Sequence, residues 1–436
     1  MEVEARRNSW DMTSNGFEQD VRHSETPTAY ERKTAVTRHS IVKCPSKVRH
    51  KTFEVQFIAI MPFYSLSYRS ADFTGFVTKT SISKPIYRFS MKNIVITIIL
   101  TVLGFNSLYG ADTYTNPIID MNVPDPTVLR DDDGFFYMTA TENITNMPLF
   151  RSADLVNWTL AGTVFKEGDK RPATQIWAPE LCRINGKYVL FYCSNPDPED
   201  TFQAYIGYAV ADHIMGPWQD KGKLFDGYAA KCRDTIDPFY FSENGKHYLF
   251  WGSTNKMWVM EIRVDDNLNI GFDLSQKVQT AGTHVEGTEI FKRGEWYYMF
   301  ASRGSYAWIT YQVVVGRSKN LFGPYYTQEG ISFLTGGDLK SPERNLAKAR
   351  ALTSGNDRFT GTGHNAPILT DDAGNTWFIC HGHKAGKELD MCRVPLLDRL
   401  LWDDEGWPYL ETGSPTPDEH YAPTFSACPA TKSASK

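Results

Sequence analysis

One pattern recurs five times between Asp125 and Cys380: a short apolar run, a tight turn containing glycine, then an aromatic run. The copies are Asp125–Arg130 with Phe135–Met138, Pro179–Ile184 with Tyr188–Tyr192, and Asp237–Phe241 with His247–Trp251. Glu286–Phe291 with Trp296–Phe300 and Ala366–Leu369 with Trp377–Cys380 complete the set. Asn185-Gly186, Asn244-Gly245, Arg293-Gly294 and the Asp-rich stretches ending at Gly134 and Gly374 are hairpin turns between β-rich runs. A second motif follows most copies, at Ser152–Trp158, Ala211–Trp218, Asp265–Leu268 and Ser318–Tyr325. Each reads as a turn before a further strand. The unit is therefore about four strands, repeated five times, which predicts an all-β, five-bladed β-propeller. A two-sheet sandwich is the alternative that strand spacing leaves open. Aromatics make up 14% of the chain, which suits strands and also surfaces on which sugar rings stack.

Aligning the hairpins by their glycines brings three acids together. Asp237 lies eight residues before Gly245, Glu286 eight before Gly294, and Asp125 nine before Gly134, where the turn holds an extra Asp. Ala178 and Asn365 occupy the matching positions in the other two copies. Equivalent positions on the innermost strands of a propeller converge on its axis, so three of five blades direct a carboxylate to one place. Like charges held together raise one another's pKa, and such clusters mark functional sites. They can bind a hard cation such as calcium, or they can divide into a proton donor, a base and a tuning charge, as glycosidic hydrolysis requires.

The first ninety residues lack any sustained strand or helix period. They carry 14 Lys and Arg against 9 Asp and Glu, whereas residues 111–436 carry a net charge of −11. Met91-Lys92-Asn93, the apolar run Ile94–Leu103 and the small residues Gly110-Ala111 have the layout of a secretory signal peptide. The run is too short to span a membrane comfortably. The expected organisation is thus an extension at 1–90 ahead of a translation start at Met91, a signal-like segment at 91–110, and a working domain at 111–436, secreted or periplasmic. An acidic domain argues against nucleic acid as a partner. Its six cysteines form no CxxC pair, which argues against a thiolate zinc site.

At these acids the chain resembles glycoside hydrolase family 43. The likeness runs from Asn116 to Leu410 through Val123-Pro124-Asp125-Pro126, Ser152–Trp158, Trp177-Ala178-Pro179-Glu180, Ile236-Asp237-Pro238, Val285-Glu286-Gly287 and Gly363-His364-Asn365. The resemblance implies a five-bladed propeller and hydrolysis with inversion. It implies Asp125 as the base that activates water, Glu286 as the acid, and Asp237 as the residue that orients the acid and tunes it. Glu289 misses the glycine register by three residues. The resemblance also implies a calcium ion near the axis, with His364 as its protein ligand and water as most of its shell. Trp177 is expected to line the cleft, and Ser253 and Arg303, each following an aromatic inner strand, are expected to reach it. Ile309–Ser318 and Trp402–Pro408 look most like the arabinanase branch, so the expected partner is a plant cell-wall polysaccharide, α-1,5-linked arabinan, or its oligosaccharides. The long charged stretch Gly336–Gly363 could wall off one end of the cleft and favour exo action. The alternatives are an exo-acting α-L-arabinofuranosidase or β-xylosidase, and a non-catalytic sugar-binding propeller. The full acid trio argues against the last, because binding alone needs no buried proton donor.

Overall fold

The computed structural model describes residues 113–142, 146–166, 168–172, 174–337 and 345–426. The expected extension at 1–90 and the signal-like segment at 91–110 lie outside the described residues. Strand β1 (Thr113–Tyr114) opens the described chain. The first sheet runs in chain order through β2 (Thr127–Arg130), β3 (Phe136–Thr139), β4 (Pro148–Ser152) and β5 (Trp158–Thr163). The second holds β6 (Trp177–Ile184), β7 (Lys187–Ser194), β8 (Tyr205–Ala211) and β9 (Gln219–Asp226), and the short helix α1 (Gly227–Ala230) follows it. The third holds β10 (Phe239–Glu243), β11 (Lys246–Ser253) and β12 (Lys256–Val264), with β13 (Ile270–Phe272) and β14 (Val278–Ala281) both paired to β12. Next come β15 (Val285–Arg293), β16 (Trp296–Arg303) and β17 (Gln312–Ser318). A single parallel pair, Gln312 with Thr362, joins β17 to β18 (Phe359–Gly363). Beyond that seam, β19 (Leu369–Thr370), β20 (Thr376–Lys384), β21 (Arg393–Trp402) and β22 (Pro408–Tyr409) form a fifth group. The last strand, β23 (His420–Tyr421), pairs antiparallel with β1.

The five predicted hairpins are all present, with two departures. The run Ala366–Leu369 is not one strand: β18 and β19 both pair with β20, and between them only Ala366 N–H reaches the Ile379 carbonyl, at 2.8 Å. Pro367 has no N–H to offer the ladder, which breaks the strand there. After Ser318–Tyr325 the expected outer strand shrinks to isolated bridges, Arg317 with Tyr326 and Tyr326 with Ser332.

Burial explains why the sheets stay together. Five apolar clusters fill the spaces between them, and each cluster is shared by two neighbours. Tyr137 and Leu149 of the first sheet pack with Leu181 and Leu190 of the second. Phe191 and Cys193 meet Leu249 and Trp251 of the third. Phe250 and Val259 meet Met299 and Val314, and Phe300 and Val313 meet Phe378 and Leu396. The last cluster joins Trp377, Ile379 and Leu397 back to Val128, Phe136 and Met138 of the first sheet. Each fully buried aromatic or aliphatic side chain contributes about 1.5–3 kcal/mol, so the contact between successive sheets is the main source of stability. The start of the described residues is tied to the same set of contacts: Asn116 donates to the Leu397 and Thr416 carbonyls and accepts from Leu397 N–H.

Turn chemistry sets where side chains fall along these strands. Asn185-Gly186 and Asn244-Gly245 both have positive φ at the two turn positions, as a type I′ hairpin requires. In the fourth sheet Arg293 pairs with Trp296, and the two turn residues are Gly294 and Glu295, with glycine first. Of these two, Gly294 alone has positive φ. Glycine therefore moves from the second turn position to the first, and counting back from it misplaces the strand by one residue.

Glu180 on β6 and Glu289 on β15 are the equivalent residues of their sheets, opposite Phe191 and Phe300. Both are buried. Thr127 Oγ1 donates to Glu180 at 3.0 Å, while Glu289 Oε2 has no partner. Burial pushes the Glu180 carboxyl up to about 8, and burial with the charge of Glu180 pushes Glu289 up as well. A carboxyl titrates near 4.3 in an unfolded chain. Stability from these two groups is therefore complete below that pH and is lost as the pH rises, for Glu180 through about 8. Glu289→Gln is expected to raise the melting temperature at pH 9 by about 2 °C or more, with a smaller gain at pH 5. Calorimetry at both pH values tests this, and an equal gain at both would refute it.

Candidate active site

A residue with left-handed backbone stands at the head of each hairpin's first strand. Asp125 (φ 53°), Ala178 (39°), Asp237 (54°) and His364 (48°) adopt it without being glycine, and Gly287 (61°) fills the place in the fourth sheet. Non-glycine residues there carry strain of about 1–3 kcal/mol and collect at functional sites. In β6 and β15 the head is a bulge, after Trp177 and after Glu286. Trp177 and Glu286 are thus equivalent, and Glu286 sits one position before the register of Asp125 and Asp237. The switch of turn type causes this offset. The bulge nevertheless delivers Glu286 to the same cleft, which holds Asp125, Asp237, Trp177, Ala178, Ile236, His364, Thr141, Glu142, Tyr306, Met391 and Arg393 in its lining. The cleft has a volume of about 420 Å³ and opens to solvent.

Asp125 is buried and surrounded by donors. Thr141 Oγ1 donates to Oδ2 at 2.6 Å, and Arg393 donates to Oδ1 at 2.9 Å. His364 and His381 each bring Nδ1 within 3.3–3.4 Å of Oδ1. Asp125 N–H also donates to His381 Nδ1 at 3.1 Å, which places the His381 proton on Nε2. Burial, reinforced by Arg393, pushes His381 down to about 3, so it is neutral. Burial alone would raise the Asp125 carboxyl; the Arg393 guanidinium, with His364, outweighs it and holds the group well below the usual carboxylate range. Asp125 is an ionised acceptor, fitted to take a proton from water.

Asp237 has the same backbone conformation and the opposite electrostatics. Its one stabilising donor is Gly287 N–H, at 3.2 Å from Oδ2. That bond also fixes the peptide next to Glu286. Burial, then the charges of Glu286 and Asp125, push Asp237 well above the usual range. The like-charge repulsion expected from the sequence is present, and it acts on Asp237. Glu286 accepts from Ser253 Oγ at 2.6 Å and from Tyr311 OH at 2.8 Å. Tyr311 is fully buried and its ring stacks on His381 at 5.6 Å. Burial and the three carboxylates push its phenol up, which keeps it a donor.

The predicted residues divide. Asp125, Asp237, Glu286, Trp177 and His364 share the cleft, and Ser253 reaches it through Glu286. Arg303 does not reach it. Its guanidinium donates to the Leu346 and Ala349 carbonyls and to Gln312 Oε1, so it anchors the returning end of the long 336–363 loop instead. Thr141, Tyr311, His381 and Arg393 were not singled out from sequence. Tyr311 could have been, because the arabinanase-like stretch Ile309–Ser318 contains it.

Calcium takes six to eight oxygen ligands. Among the described residues no group of three or more His, Cys, Asp or Glu is arranged to hold a metal. His364 offers one nitrogen, and its Nδ1 lies beside Asp125. A calcium ion at His364 would therefore take its shell from water.

Comparison with known proteins agrees with this geometry. Residues 114–408 match the family model for glycosyl hydrolases family 43. The chain is 26% identical over 324 residues to the extracellular exo-alpha-(1->5)-L-arabinofuranosidase ArbA of Cellvibrio japonicus, covering 67% of this chain and 87% of that protein. It is 26% identical to a putative beta-xylosidase of Escherichia coli, covering 69% of this chain but only 57% of the relative's length. In structure it is similar to the Cellvibrio cellulosa alpha-L-arabinanase complexed with arabinohexaose, with a TM-score of 0.55 and 23% identity, covering 67% of this chain and 96% of that one.

The clamp on Asp125 generates a pH prediction. Arg393 lowers the Asp125 pKa, so this carboxylate stays charged to low pH. Arg393→Met is expected to move the acidic limb of kcat/KM to higher pH. Asp125→Asn is expected to lower turnover about 10²-fold or more while saccharide binding survives. Near-native turnover in Asp125→Asn, or an unmoved acidic limb in Arg393→Met, would remove Asp125 as the base.

Proposed function

The chain belongs to glycosyl hydrolases family 43, and on that premise we propose that it hydrolyses α-1,5-linked arabinan or arabino-oligosaccharides with inversion, outside the cell. The observation that carries this reading is the unequal pair in one cleft: Asp125 held ionised by Arg393, and Asp237 pushed toward its neutral form beside Glu286. In this reading Asp125 takes the proton from water, and Glu286 gives a proton to the departing glycosidic oxygen. Asp237 fixes the 286–287 peptide through Gly287 N–H, and its closeness to Glu286 keeps one proton on the Asp237/Glu286 pair. The ring of sheets is read as a five-bladed propeller, which the pairwise sharing of the apolar clusters supports. Calcium at His364 belongs to the proposal as a structural element only. Exo action on arabinofuranosyl ends, or β-xylosidase action, is the second reading, which the names of the two relatives favour. Product analysis on linear arabinan, aryl arabinofuranoside and aryl xyloside separates them.

Export is part of the proposal. The ArbA relative is named extracellular, and among the described residues no helix is long and apolar enough to cross a membrane. A chain beginning at Ala111 is expected to fold and to keep its activity; loss of the β-type circular dichroism spectrum would overturn the 111–436 boundary.

The acid and its tuner can be told apart by leaving group. A low-pKa phenol departs with little help and a sugar alkoxide does not. Glu286→Gln is therefore expected to damage hydrolysis of arabinan far more than that of an activated aryl glycoside, and equal losses would remove Glu286 as the acid. In Asp237→Asn the repulsion that holds the shared proton is gone. The alkaline limb of kcat/KM is expected to move to lower pH, and an unmoved limb would leave Asp237 as a positioning residue.

A further inference from the structure

Large apolar side chains exposed singly on a surface need no explanation, but a contiguous exposed patch does. Eleven large hydrophobic residues are exposed among the described residues, and five of them belong to segments at the cleft: Met121, Tyr306, Trp308, Ile309 and Met391. Tyr306 and Met391 line the cleft itself. Trp308 and Ile309 follow Tyr306 on the Gly304–Tyr311 loop, with 65% and 57% of their surface exposed.

This loop is held rigidly. Trp308 N–H donates to the Ser305 carbonyl at 2.9 Å, and Tyr311 N–H to the Trp308 carbonyl at 3.1 Å. His383 Nε2 lies 2.8 Å from the Tyr306 carbonyl, to which it donates. Gly361 passes so close that a Cβ there would stand 2.8 Å from the Trp308 carbonyl oxygen. The Arg393 guanidinium, which clamps Asp125, sits 4.7 Å above the Tyr306 ring. The loop ends at Tyr311, whose hydroxyl holds Glu286. A pinned loop that joins Arg393 to Glu286 thus carries two exposed apolar side chains, Trp308 and Ile309, two and three residues beyond the cleft-lining Tyr306.

We propose that Trp308, backed by Ile309, is a stacking platform for the part of a saccharide chain that extends beyond the sugar held at the three acids. The C–H face of a sugar ring is the chemistry that an exposed, preorganised indole recognises without losing hydrogen bonds to water. Continuity with Tyr306 in the cleft selects the substrate chain as the occupant. The inference rests on the glycosidase reading above and deepens it: the enzyme takes chains longer than the cleft alone can hold, and Trp308 sets that length preference.

The test uses the full chain. Binding of arabinohexaose and arabinobiose is measured by calorimetry on Asp125→Asn, with and without Trp308→Ala, and kcat/KM is measured on the same two sugars for wild type, Trp308→Ala, Trp308→Phe and Leu160→Ala. Leu160 is an exposed residue of β5 and serves as the surface control. Trp308→Ala is expected to shrink the advantage of the hexaose over the biose about tenfold, the worth of one aromatic contact. Trp308→Phe restores most of it, and Leu160→Ala leaves it alone. An unchanged ratio in a folded Trp308→Ala protein that still cleaves the biose overturns the platform while leaving the glycosidase reading intact. An unchanged ratio together with a fall from dimer to monomer in light scattering assigns the patch to a second copy, and also overturns it. A wild type that neither binds nor cleaves either sugar or an aryl glycoside removes the glycosidase reading, and the platform with it.

Discussion

The left-handed backbone at the head of each hairpin's first strand is the constraint on which the site depends. Five sheets packed side by side bring five strand heads near one another, but an extended chain would send successive side chains to alternate faces. A left-handed residue breaks that alternation and redirects the chain at the mouth of the cleft. Asp125, Ala178, Asp237, Gly287 and His364 all take this conformation. The burial that binds each sheet to the next supplies the energy that holds four non-glycine residues in it. Stability made between the sheets is in this sense used at their heads.

Two aspartates in that same conformation then become different chemical groups. Neither burial nor position distinguishes them, since both are almost wholly removed from water. The neighbours do. Arg393 comes from the start of β21, where the fifth sheet faces the first, and it reaches Asp125. Asp237 lies where the third sheet faces the fourth and meets no cation; it faces Glu286. A carboxylate with a guanidinium at 2.9 Å keeps its charge, and one whose nearest charge is another carboxylate favours its proton. The asymmetry that acid–base chemistry needs thus comes from which sheets adjoin.

Much of this was legible in the residues. Glycine-containing turns and aromatic runs located all five hairpins, two of them by Asn-Gly, because a type I′ turn has a strict local chemistry. The three acids were legible as a set, because their spacing from those turns is short. The position of Glu286 within the set was not, because Gly294 takes the first turn place rather than the second, and a bulge after Glu286 then restores its reach. The break in the fifth strand was legible in principle from Pro367. Arg303 followed the same local rule as Ser253, and the two parted for a tertiary reason: the 346–349 carbonyls needed a donor, and Arg303 could reach them. Arg393 and His381 had no local signal at all, since each meets Asp125 across more than 250 residues of chain.

The second pair of acids shows the same logic without a cation to resolve it. Glu180 and Glu289 occupy equivalent places on β6 and β15, three residues beyond Trp177 and Glu286, so the bulges that shape the cleft also place these two. Thr127 satisfies one of them, and the other keeps an unpartnered oxygen in the interior. A group of that kind is expensive when charged and tolerable when neutral. The fold carries its acids in two tiers along β6 and β15, and the buried pair is tolerated because burial keeps protons on it.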